Sequence, residues 1–309
     1  MSKMSFVEAI TSGPVLMEGA LGERLKREYG LNIDGPAAMA TLVDTLEGKA
    51  ALAALWQEYL NIAERYGLPF MATTPTRRAN RLRMEKAGLD QSLLQRNAQL
   101  LCKIRDQALT PMFAGGLMGC VGDAYTGQGC LDADGAERIH RWQAEFLADT
   151  GLDFLFAGIM PTLPETLGMA RAMASVSLPY IISFTICRAG TLMDGTGMDE
   201  AIRYIDSHVD VPPVLYMTNC VHPDIVYEAL SRPTNQTENV ARRFRGVQAN
   251  TAAMDYSAMD GARELITAEP EALADAMMRL NREMGISVLG GCCGTDGSHM
   301  EAIARKIAK

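Results

Sequence analysis

The sequence predicts an α/β protein built as a single (β/α)₈ TIM barrel. Eight apolar runs of strand length alternate with longer amphipathic segments, and the alternation continues through all 309 residues. An open doubly wound sheet is expected to carry a G-x-G-x-x-G turn after its first strand, and Glu18-Gly-Ala-Leu-Gly22 does not complete that motif. No linker rich in Pro, Gly or Ser divides the chain, so we expect one domain over residues 1–309.

Strands and helices are predicted to alternate in chain order. The predicted strands are Pro14–Glu18, Leu68–Thr74, Pro111–Gly116, Asp153–Gly158, Pro179–Thr185, Pro213–Asn219, Phe244–Asn250 and Ile286–Gly290. The predicted helices are Gly48–Tyr66, Gln91–Ala108, Asp134–Asp149, Leu163–Ala174, Met198–Ser207, Pro223–Leu230, Pro270–Met284 and Ser298–Ile307. In Gly48–Tyr66 the apolar residues recur at three- and four-residue spacing and form one stripe. Pro270 suits a first helical turn, and the glutamates on either side of it favour the positive end of the helix dipole.

The composition argues against several functional classes. The longest apolar stretches fall short of a membrane span, and the N-terminus lacks the apolar core of a signal peptide. We therefore expect a soluble cytoplasmic protein without a membrane partner. The net charge of −8 and the pI near 5.1 disfavour nucleic acid as a partner, because no basic stripe is present. The one basic cluster, between Arg77 and Lys86, is predicted to be a solvated face.

Three of the seven cysteines follow predicted strands in a pattern that favours a metal site. Cys220 ends Tyr216-Met-Thr-Asn-Cys220 after strand six, and Cys292 and Cys293 lie in Val288-Leu-Gly-Gly-Cys-Cys-Gly-Thr295 after strand eight. The carboxyl ends of barrel strands share one rim, so the three thiols can converge. Neighbouring side chains on a strand face opposite ways, and the flanking glycines supply the backbone freedom for both adjacent cysteines to face one site.

The sequence leaves several interpretations of these cysteines open. Cysteine is often a small buried hydrophobe, and Cys220 taken alone would be core. Cys292 and Cys293 could form a vicinal disulfide, although the bridge strains the peptide and the composition suggests a reducing compartment, where we expect free thiols or metal ligands. Three cysteines with one open position also fit the [4Fe–4S] cluster of an iron–sulfur lyase. The same three cysteines have the outline of a catalytic zinc site, in which Zn²⁺ on three thiolates leaves a fourth position where a substrate thiol would be deprotonated.

Further motifs extend over nearly the whole chain. They are Met17-Glu-Gly-Ala20, Gly115-Gly-Leu-Met-Gly119, Ser183-Phe-Thr185, Asp194-Gly195, Asn219-Cys220, Gly246-Val-Gln-Ala-Asn250 and Gly290-Gly-Cys-Cys-Gly-Thr295. In these motifs the chain resembles the homocysteine S-methyltransferase family. That family includes the betaine- and S-methylmethionine-dependent enzymes and the homocysteine-binding module of cobalamin-dependent methionine synthase. The last motif is the most specific of the set.

The resemblance implies zinc-dependent transfer of a methyl group to a thiol such as homocysteine, and hence a role in methionine biosynthesis. Its implied zinc ligands are Cys220, Cys292 and Cys293. Its implied substrate-binding residues are Glu18, Gly19, Ala20 and Asn250, and its implied catalytic residues are Glu18 and Asn219. The expected small-molecule partners are a thiol acceptor and a methyl donor, either an onium compound or a methylated cofactor, which a separate methyl-carrier protein would deliver.

The chain departs from the family pattern at three places. Glu18 stands where the family usually has Asp, and Gly158 stands where an acid usually follows strand four. Thr73-Thr-Pro-Thr76 replaces the usual aromatic residue after strand two. Because the amino group of the acceptor loses a charge partner, we expect a thiol with a different or missing α-amino group, or one contacted by Glu165 or an arginine. The missing acid also fits a non-catalytic zinc-binding or thiol-binding partner subunit.

Overall fold

All eight predicted strands are present and together close a parallel barrel. The computed structural model describes residues 4–253 and 268–309, and the strands follow one another around the ring in chain order until the last pairs with the first. They are Val15–Met17 (β1), Phe70–Thr73 (β2), Met112–Met118 (β3), Phe154–Met160 (β4), Tyr180–Phe184 (β5), Leu215–Val221 (β6), Phe244–Ala249 (β7) and Val288–Gly291 (β8). The predicted (β/α)₈ TIM barrel is therefore confirmed.

The eight predicted helices are also present, with end points that shift by at most three residues. The described α-helices are Phe6–Ser12 (α1), Gly22–Arg27 (α2), Leu46–Tyr66 (α3), Arg81–Lys86 (α4), Ser92–Arg105 (α5), Ala133–Ala148 (α6), Leu163–Ala174 (α7), Met198–Ser207 (α8), Pro223–Leu230 (α9), Glu238–Arg243 (α10), Pro270–Met284 (α11) and Gly297–Ile307 (α12). A 3₁₀ helix covers Ala38–Asp44. The sequence did not predict α1, α2, α4 and α10, which have only six or seven residues each.

The long helix α3 shows how local signals place side chains near the barrel rim. It begins at Thr45, whose hydroxyl accepts a hydrogen bond from the N–H of Gly48 at 3.0 Å. It ends at Gly67, whose φ of +64° is the left-handed conformation that stops a helix. Its inward stripe buries Trp56 and Tyr59 completely, and both reach the segment that follows β1.

Helix α1 fills the lower end of the barrel, where the strands begin. The ring of Phe6 stacks on that of Phe154, the first residue of β4, with ring centroids 4.3 Å apart. The same ring packs edge-on against Phe113 of β3, with centroids 5.5 Å apart. Ser5 caps the helix in a reciprocal pair with Glu8. These aromatic contacts belong to an inner apolar cluster that occupies the ring itself. The opposite rim is left for the polar residues described below.

A second apolar layer lies between the strands and the outer helices. It buries the outward-facing side chains of the strands, which explains why the strands are apolar on both faces. Within residues 4–253 and 268–309, no helix is long and apolar enough to cross a membrane.

Candidate active site

A cavity of about 320 Å³ opens at the rim where the strands end. Its wall combines the segments that follow β1, β2, β6 and β8, with the ring of Phe156 from inside the barrel. Cys220, Cys292 and Cys293 all line it, and so does Glu18. The structure thus brings the three cysteines and the first-strand carboxylate to one place, at the carboxyl ends of parallel strands.

Cys220 reaches the cavity through an irregularity in β6. Its φ is +64°, and the pairing of β6 with β7 shifts register between Asn219 and Val221. The left-handed conformation costs a residue with a side chain roughly 1–2 kcal/mol. Asn219 and Cys220 would face opposite ways on a regular strand, yet both line the cavity. The inserted residue therefore turns the thiol toward the other two cysteines.

Cys292 and Cys293 lie in a tight turn directly after β8. The N–H and the hydroxyl of Thr295 both donate to the carbonyl of Cys292, at 3.1 and 2.7 Å. The third residue of the turn, Gly294, has a φ of +85°, and a Cβ there would collide with the side chain of Thr251. The N–H of Thr251 donates to the carbonyl of Cys293 at 3.2 Å. This turn ends the strand, so both adjacent side chains can face the cavity.

The three sulfur atoms lie within 4.8 Å of one another. The Sγ atoms of Cys220 and Cys292 are in disulfide contact, and the Sγ of Cys293 lies 3.5 Å from that of Cys220. The close pair is therefore Cys220 with Cys292, and not the vicinal pair of Cys292 with Cys293 considered above. Proximity explains the pairing, because the bulge of β6 and the turn after β8 bring these sulfurs together.

This group of sulfurs fits a single soft metal ion once all three are reduced. Sulfur ligands of a tetrahedral zinc ion, each about 2.3 Å from the metal, lie about 3.8 Å apart. The separation of 3.5 Å between Cys293 and Cys220 is close to that value. Three sulfur donors at the wall of a cavity would leave the fourth position facing the open space, which is the arrangement of a catalytic site.

The thiol of Cys293 is exposed to the cavity, although protein atoms surround it closely. Burial raises its pKa above the ordinary value, the nearby carboxylate of Glu23 raises it further, and the positive charge of Arg77 lowers it. The metal-free thiol is therefore protonated at neutral pH, and binding of a cation at this sulfur releases a proton.

Among the described residues, Glu18 is the one buried carboxylate in the cavity wall. Its Oε1 accepts hydrogen bonds from the N–H and the hydroxyl of Thr73, at 2.9 and 2.6 Å, and its Oε2 accepts from Nε1 of Trp56 at 2.8 Å. Burial raises its pKa to about 7 although all of these hydrogen bonds lower it. These partners could not be predicted from the sequence, apart from the position of Trp56 on the apolar stripe of a predicted helix.

The backbone after Glu18 is packed tightly against α3. Gly19 and Ala20 line the cavity, and a Cβ at Gly19 would lie 2.7 Å from the ring of Tyr59. The hydroxyl of Tyr59 donates to the carbonyl of Ala20 at 2.8 Å, and the N–H of Ala20 donates to Oγ1 of Thr295 at 3.1 Å. These contacts join the first strand to the turn that carries Cys292 and Cys293.

The two asparagines named from the sequence lie in different surroundings. Asn219 lines the cavity, and its Oδ1 accepts a hydrogen bond from the hydroxyl of Ser183 at 2.5 Å. This contact fixes the amide with Nδ2 as its remaining donor. Asn250 is buried beyond the end of β7 and is not among the described residues that line the cavity. Its Oδ1 accepts from the N–H of Ala252 at 2.9 Å, as in an Asx turn.

Glu165 does not line the cavity. It therefore cannot take the place of the acid that usually follows strand four, where this chain has Gly158. It is fully buried at the start of α7. Its Oε1 accepts from the N–H of Val121 at 2.6 Å and lies 3.0 Å from Nε2 of His140, and its Oε2 accepts from the N–H of Leu131 at 3.0 Å. Its role is to hold the loop after β3, and that suggestion from the sequence is wrong.

The basic cluster that the sequence placed in solvent divides into two parts. Arg77 and Arg78 are only half-exposed and line the cavity. Arg81 is exposed on α4 and forms an ion pair with Glu85 at 2.7 Å. The expectation of a solvated face is therefore correct for Arg81 and wrong for Arg77 and Arg78, which precede the helix and follow the end of β2.

The model of one protein family, described as homocysteine S-methyltransferase, matches residues 15–307. The chain belongs to the homocysteine S-methyltransferase family. It is 24% identical over 242 residues to a methionine synthase of Mycobacterium leprae, a match that covers 70% of this chain and 18% of that protein. The chain thus corresponds to less than a fifth of the length of this curated relative.

Solved structures that resemble this member of the homocysteine S-methyltransferase family include two forms of the homocysteine methyltransferase MmuM from Escherichia coli. The metallated form is 21% identical with a TM-score of 0.75, and the match covers 96% of this chain and 97% of that one. The oxidized form is 20% identical with a TM-score of 0.74, covering 95% and 96%. At this identity the likeness establishes the barrel fold over almost the full length of both chains.

Proposed function

We propose that the protein is a zinc-dependent S-methyltransferase that moves a methyl group from an onium or methylated-cofactor donor to a thiol such as homocysteine. Membership of the homocysteine S-methyltransferase family supports the reaction class. The observation that carries the proposal is the convergence of three sulfur donors within 4.8 Å at the wall of a substrate-sized cavity. Those sulfurs, from Cys220, Cys292 and Cys293, are the proposed zinc ligands.

Zn²⁺ held by three thiolates supplies an open position at which a substrate thiol loses its proton and stays nucleophilic. In the proposed transfer the thiolate sulfur forms a bond to the methyl carbon while the bond from that carbon to the donor heteroatom breaks. The electron pair of the broken bond leaves with the donor, which becomes neutral if it was an onium compound. The thiol proton passes to solvent. The chemistry needs no other co-reactant, so the chain's task is to bind and align two molecules.

The residues around the sulfurs are suited to that task. The anchored carboxylate of Glu18 and the adjacent backbone of Gly19 and Ala20 would contact the acceptor, since all three line the same cavity as the cysteines. Asn219 would offer its Nδ2 as a donor while Ser183 holds the amide in place. We propose that Asn250 contributes to the substrate site indirectly, by shaping the turn after β7.

The methyl donor and any protein partner belong to the proposal as well. The donor is a small onium compound or a methylated cofactor, which a separate methyl-carrier protein would present at the cavity mouth. We take residues 1–309 as one domain, because all eight strands of the closed barrel come from this chain in order. We propose no nucleic-acid or membrane partner, and the net charge of −8 supports the first of these exclusions.

Metal analysis joined to a methyl-transfer assay tests the proposal. The reduced protein should bind one equivalent of zinc, and C292S and C293S should lose both the metal and methyl transfer to homocysteine. C187S is the matched control, because Cys187 is a half-buried thiol whose Sγ lies 3.3 Å from the hydroxyl of Thr191, outside the sulfur group. A brown protein that contains iron and sulfide, or a zinc protein that transfers no methyl group from any donor, would refute the proposed activity.

A further inference from the structure

The segment between β2 and α4 is fixed against the barrel by two buried threonine hydroxyls. Oγ1 of Thr76 donates to the carbonyl of Leu117 at 2.7 Å, and Oγ1 of Thr74 accepts from the N–H of Leu117 at 3.1 Å. The two hydroxyls are themselves 2.7 Å apart. Arg77 and Arg78 follow directly, so this fixed backbone holds both residues at the cavity wall.

The position of Arg77 brings a positive charge close to the sulfur group. Its side chain crosses Gly119, where an added Cβ would lie 2.5 Å from Cγ of the arginine. Arg77 lines the same cavity as Cys220, Cys292 and Cys293. A ligand held at this guanidinium would therefore lie within electrostatic range of the proposed metal position.

The acidic side chains among the described residues that line the cavity, Glu18, Glu23 and Asp34, already have partners. Glu23 forms an ion pair with Arg27 at 2.7 Å and accepts from the N–H of Gly294 at 2.7 Å. Asp34 forms an ion pair with Lys26 at 2.9 Å. Glu18 accepts hydrogen bonds at both oxygens, as described above. Each of these carboxylates therefore already has a hydrogen-bonding or ion-pair partner.

Arg77 and Arg78 are in the opposite situation. Within residues 4–253 and 268–309, neither guanidinium forms an ion pair, although Asp123 and Asp34 lie within electrostatic range. Burial lowers the pKa of Arg78, and the neighbouring charges of Arg83 and Arg77 lower it further. An anion placed between the two guanidinium groups would relieve this repulsion and complete their hydrogen bonding.

The wall where the family usually has an acid is apolar in this chain. Gly158 has no side chain, and an added Cβ would collide with the ring of Phe156 and lie 3.3 Å from Cδ1 of Leu117. Phe156, Leu117 and Ile159 line the cavity at this side. A carboxylate cannot be placed here without moving a buried aromatic ring, so the wall offers nothing to an ammonium group.

We propose that Arg77 and Arg78 bind the carboxylate of the acceptor, and that the preferred acceptors are mercaptocarboxylates that need no α-amino group. The inference rests on the proposed function, because it names the acceptor of that reaction. It assigns the specificity to two guanidinium groups with no partner among the described residues, in a cavity whose carboxylates are engaged. The thiol would reach the three cysteines while the carboxylate lies under the arginines.

Thiol binding to the Co²⁺-loaded protein tests the inference without relying on turnover. The three cysteine thiolates already give Co²⁺ a charge-transfer absorbance, and coordination of a fourth thiolate from an added thiol changes that absorbance in a way that can be titrated. The probes are 3-mercaptopropionate, its neutral amide 3-mercaptopropionamide, 3-mercaptopropylamine and homocysteine. We expect the acid to bind at least about tenfold more tightly than the amide, as charged hydrogen bonds allow, and the amine to bind most weakly.

Single substitutions then identify the groups that recognise the carboxylate. R77Q and R78Q should bring the acid and the amide within about threefold of each other, and R77K should keep part of the preference because lysine lacks the bidentate fork. R81Q is the matched control, since Arg81 is exposed and ion-paired with Glu85 on the adjacent helix. It should keep the full preference. Thermal unfolding and metal content of each variant establish that it is folded and loaded.

The outcomes separate this inference from the proposed function. If no thiol changes the charge-transfer absorbance of the Co²⁺-loaded wild type, the proposed function is refuted and the inference with it. If thiols coordinate but acid and amide bind equally, or if the preference survives in both R77Q and R78Q, the inference alone is refuted. The acceptor assignment is also refuted if the arginine variants instead weaken a sulfonium donor that bears a carboxylate, measured against its methyl ester.

Discussion

Replacing Glu18 by Gln should change how the stability of the protein depends on pH. The carboxyl is only 3% exposed, and burial raises its pKa from 4.5 to about 7. In the unfolded chain the same group titrates near the lower value. Folding therefore favours the protonated form, and the wild type should be most stable relative to the glutamine variant at acidic pH.

The size and the pH window follow from the two pKa values. Below pH 4.5 the carboxyl is protonated in both states, so the stabilisation that its raised pKa provides is fully present. Between 4.5 and about 7 the unfolded state loses its proton first, and the free energy of unfolding falls by about 1.4 kcal/mol per pH unit. Above pH 8 the wild type should have lost about 3 kcal/mol relative to E18Q.

The glutamine variant separates titration from hydrogen bonding. Its amide must turn an NH₂ group toward either Trp56 or Thr73, both of which donate to the carboxylate in the wild type. The resulting loss, about 1–3 kcal/mol, is the same at every pH because glutamine does not titrate. Only the pH-dependent part of the difference between the two proteins reports on the buried carboxyl.

Urea unfolding of the reduced, metal-free proteins at pH 5, 6, 7 and 8 measures this difference. E47Q is the matched control, because Glu47 is an exposed glutamate in the first turn of α3. Its difference from the wild type should not fall with pH as that of E18Q does. A difference between wild type and E18Q that stays flat over this range, or that grows in favour of the wild type as pH rises, would refute the reasoning.

Three further predictions use the same proteins and methods. W56F removes the donor to Oε2 of Glu18, so the pKa of that carboxyl should rise above about 7. The difference in free energy of unfolding between W56F and the double variant W56F/E18Q should then change with pH around a higher midpoint than the difference between wild type and E18Q. G294A should destabilise the fold by more than 2 kcal/mol in urea and weaken zinc binding in a chelator titration, because a φ of +85° and the side chain of Thr251 both oppose a Cβ. G285A is the control: its φ is +71° and the nearest atom to an added Cβ is 3.9 Å away, so it should cost only about 1 kcal/mol. F6A should destabilise the fold by about 3–5 kcal/mol and leave the zinc stoichiometry unchanged, since the ring is buried at the far end of the barrel from the sulfurs. Equal losses of stability in G294A and G285A would contradict the reasoning about the glycines, and loss of zinc in F6A would contradict the position assigned to Phe6.

The strands could be predicted because they are apolar on both faces, which leaves an unambiguous signal in short runs such as Pro213–Asn219. The barrel topology alone predicted that Cys220, Cys292 and Cys293 lie at one rim, without knowledge of any side-chain position. A closed ring of parallel strands has a single carboxyl end, so a residue's place in the alternation fixes its height in the barrel. This is why the convergence of the sulfurs followed from spacing alone.

Other features depend on contacts that no local pattern records. The left-handed backbone of Cys220 is held by the pairing of β6 with β7, and the sequence around it contains no glycine to indicate the irregularity. Helix α1 was missed because seven residues give too little periodicity. The charge pattern identified Arg77 and Arg78 but could not tell a cavity wall from a solvated helix, because that depends on the loop between β2 and α4.

The aromatic stack beneath the barrel makes the reaction chamber blind-ended. With Phe6 and Phe154 in contact at the lower end, both substrates of the proposed reaction would enter, and both products would leave, by the upper mouth. In the proposed reaction the acceptor sulfur would lie against the cysteines, so a donor that bound first would stand in its path. Because one opening serves all four molecules, we expect an ordered kinetic mechanism in which the acceptor binds first and the demethylated donor leaves before the thioether. Product-inhibition patterns would show that order.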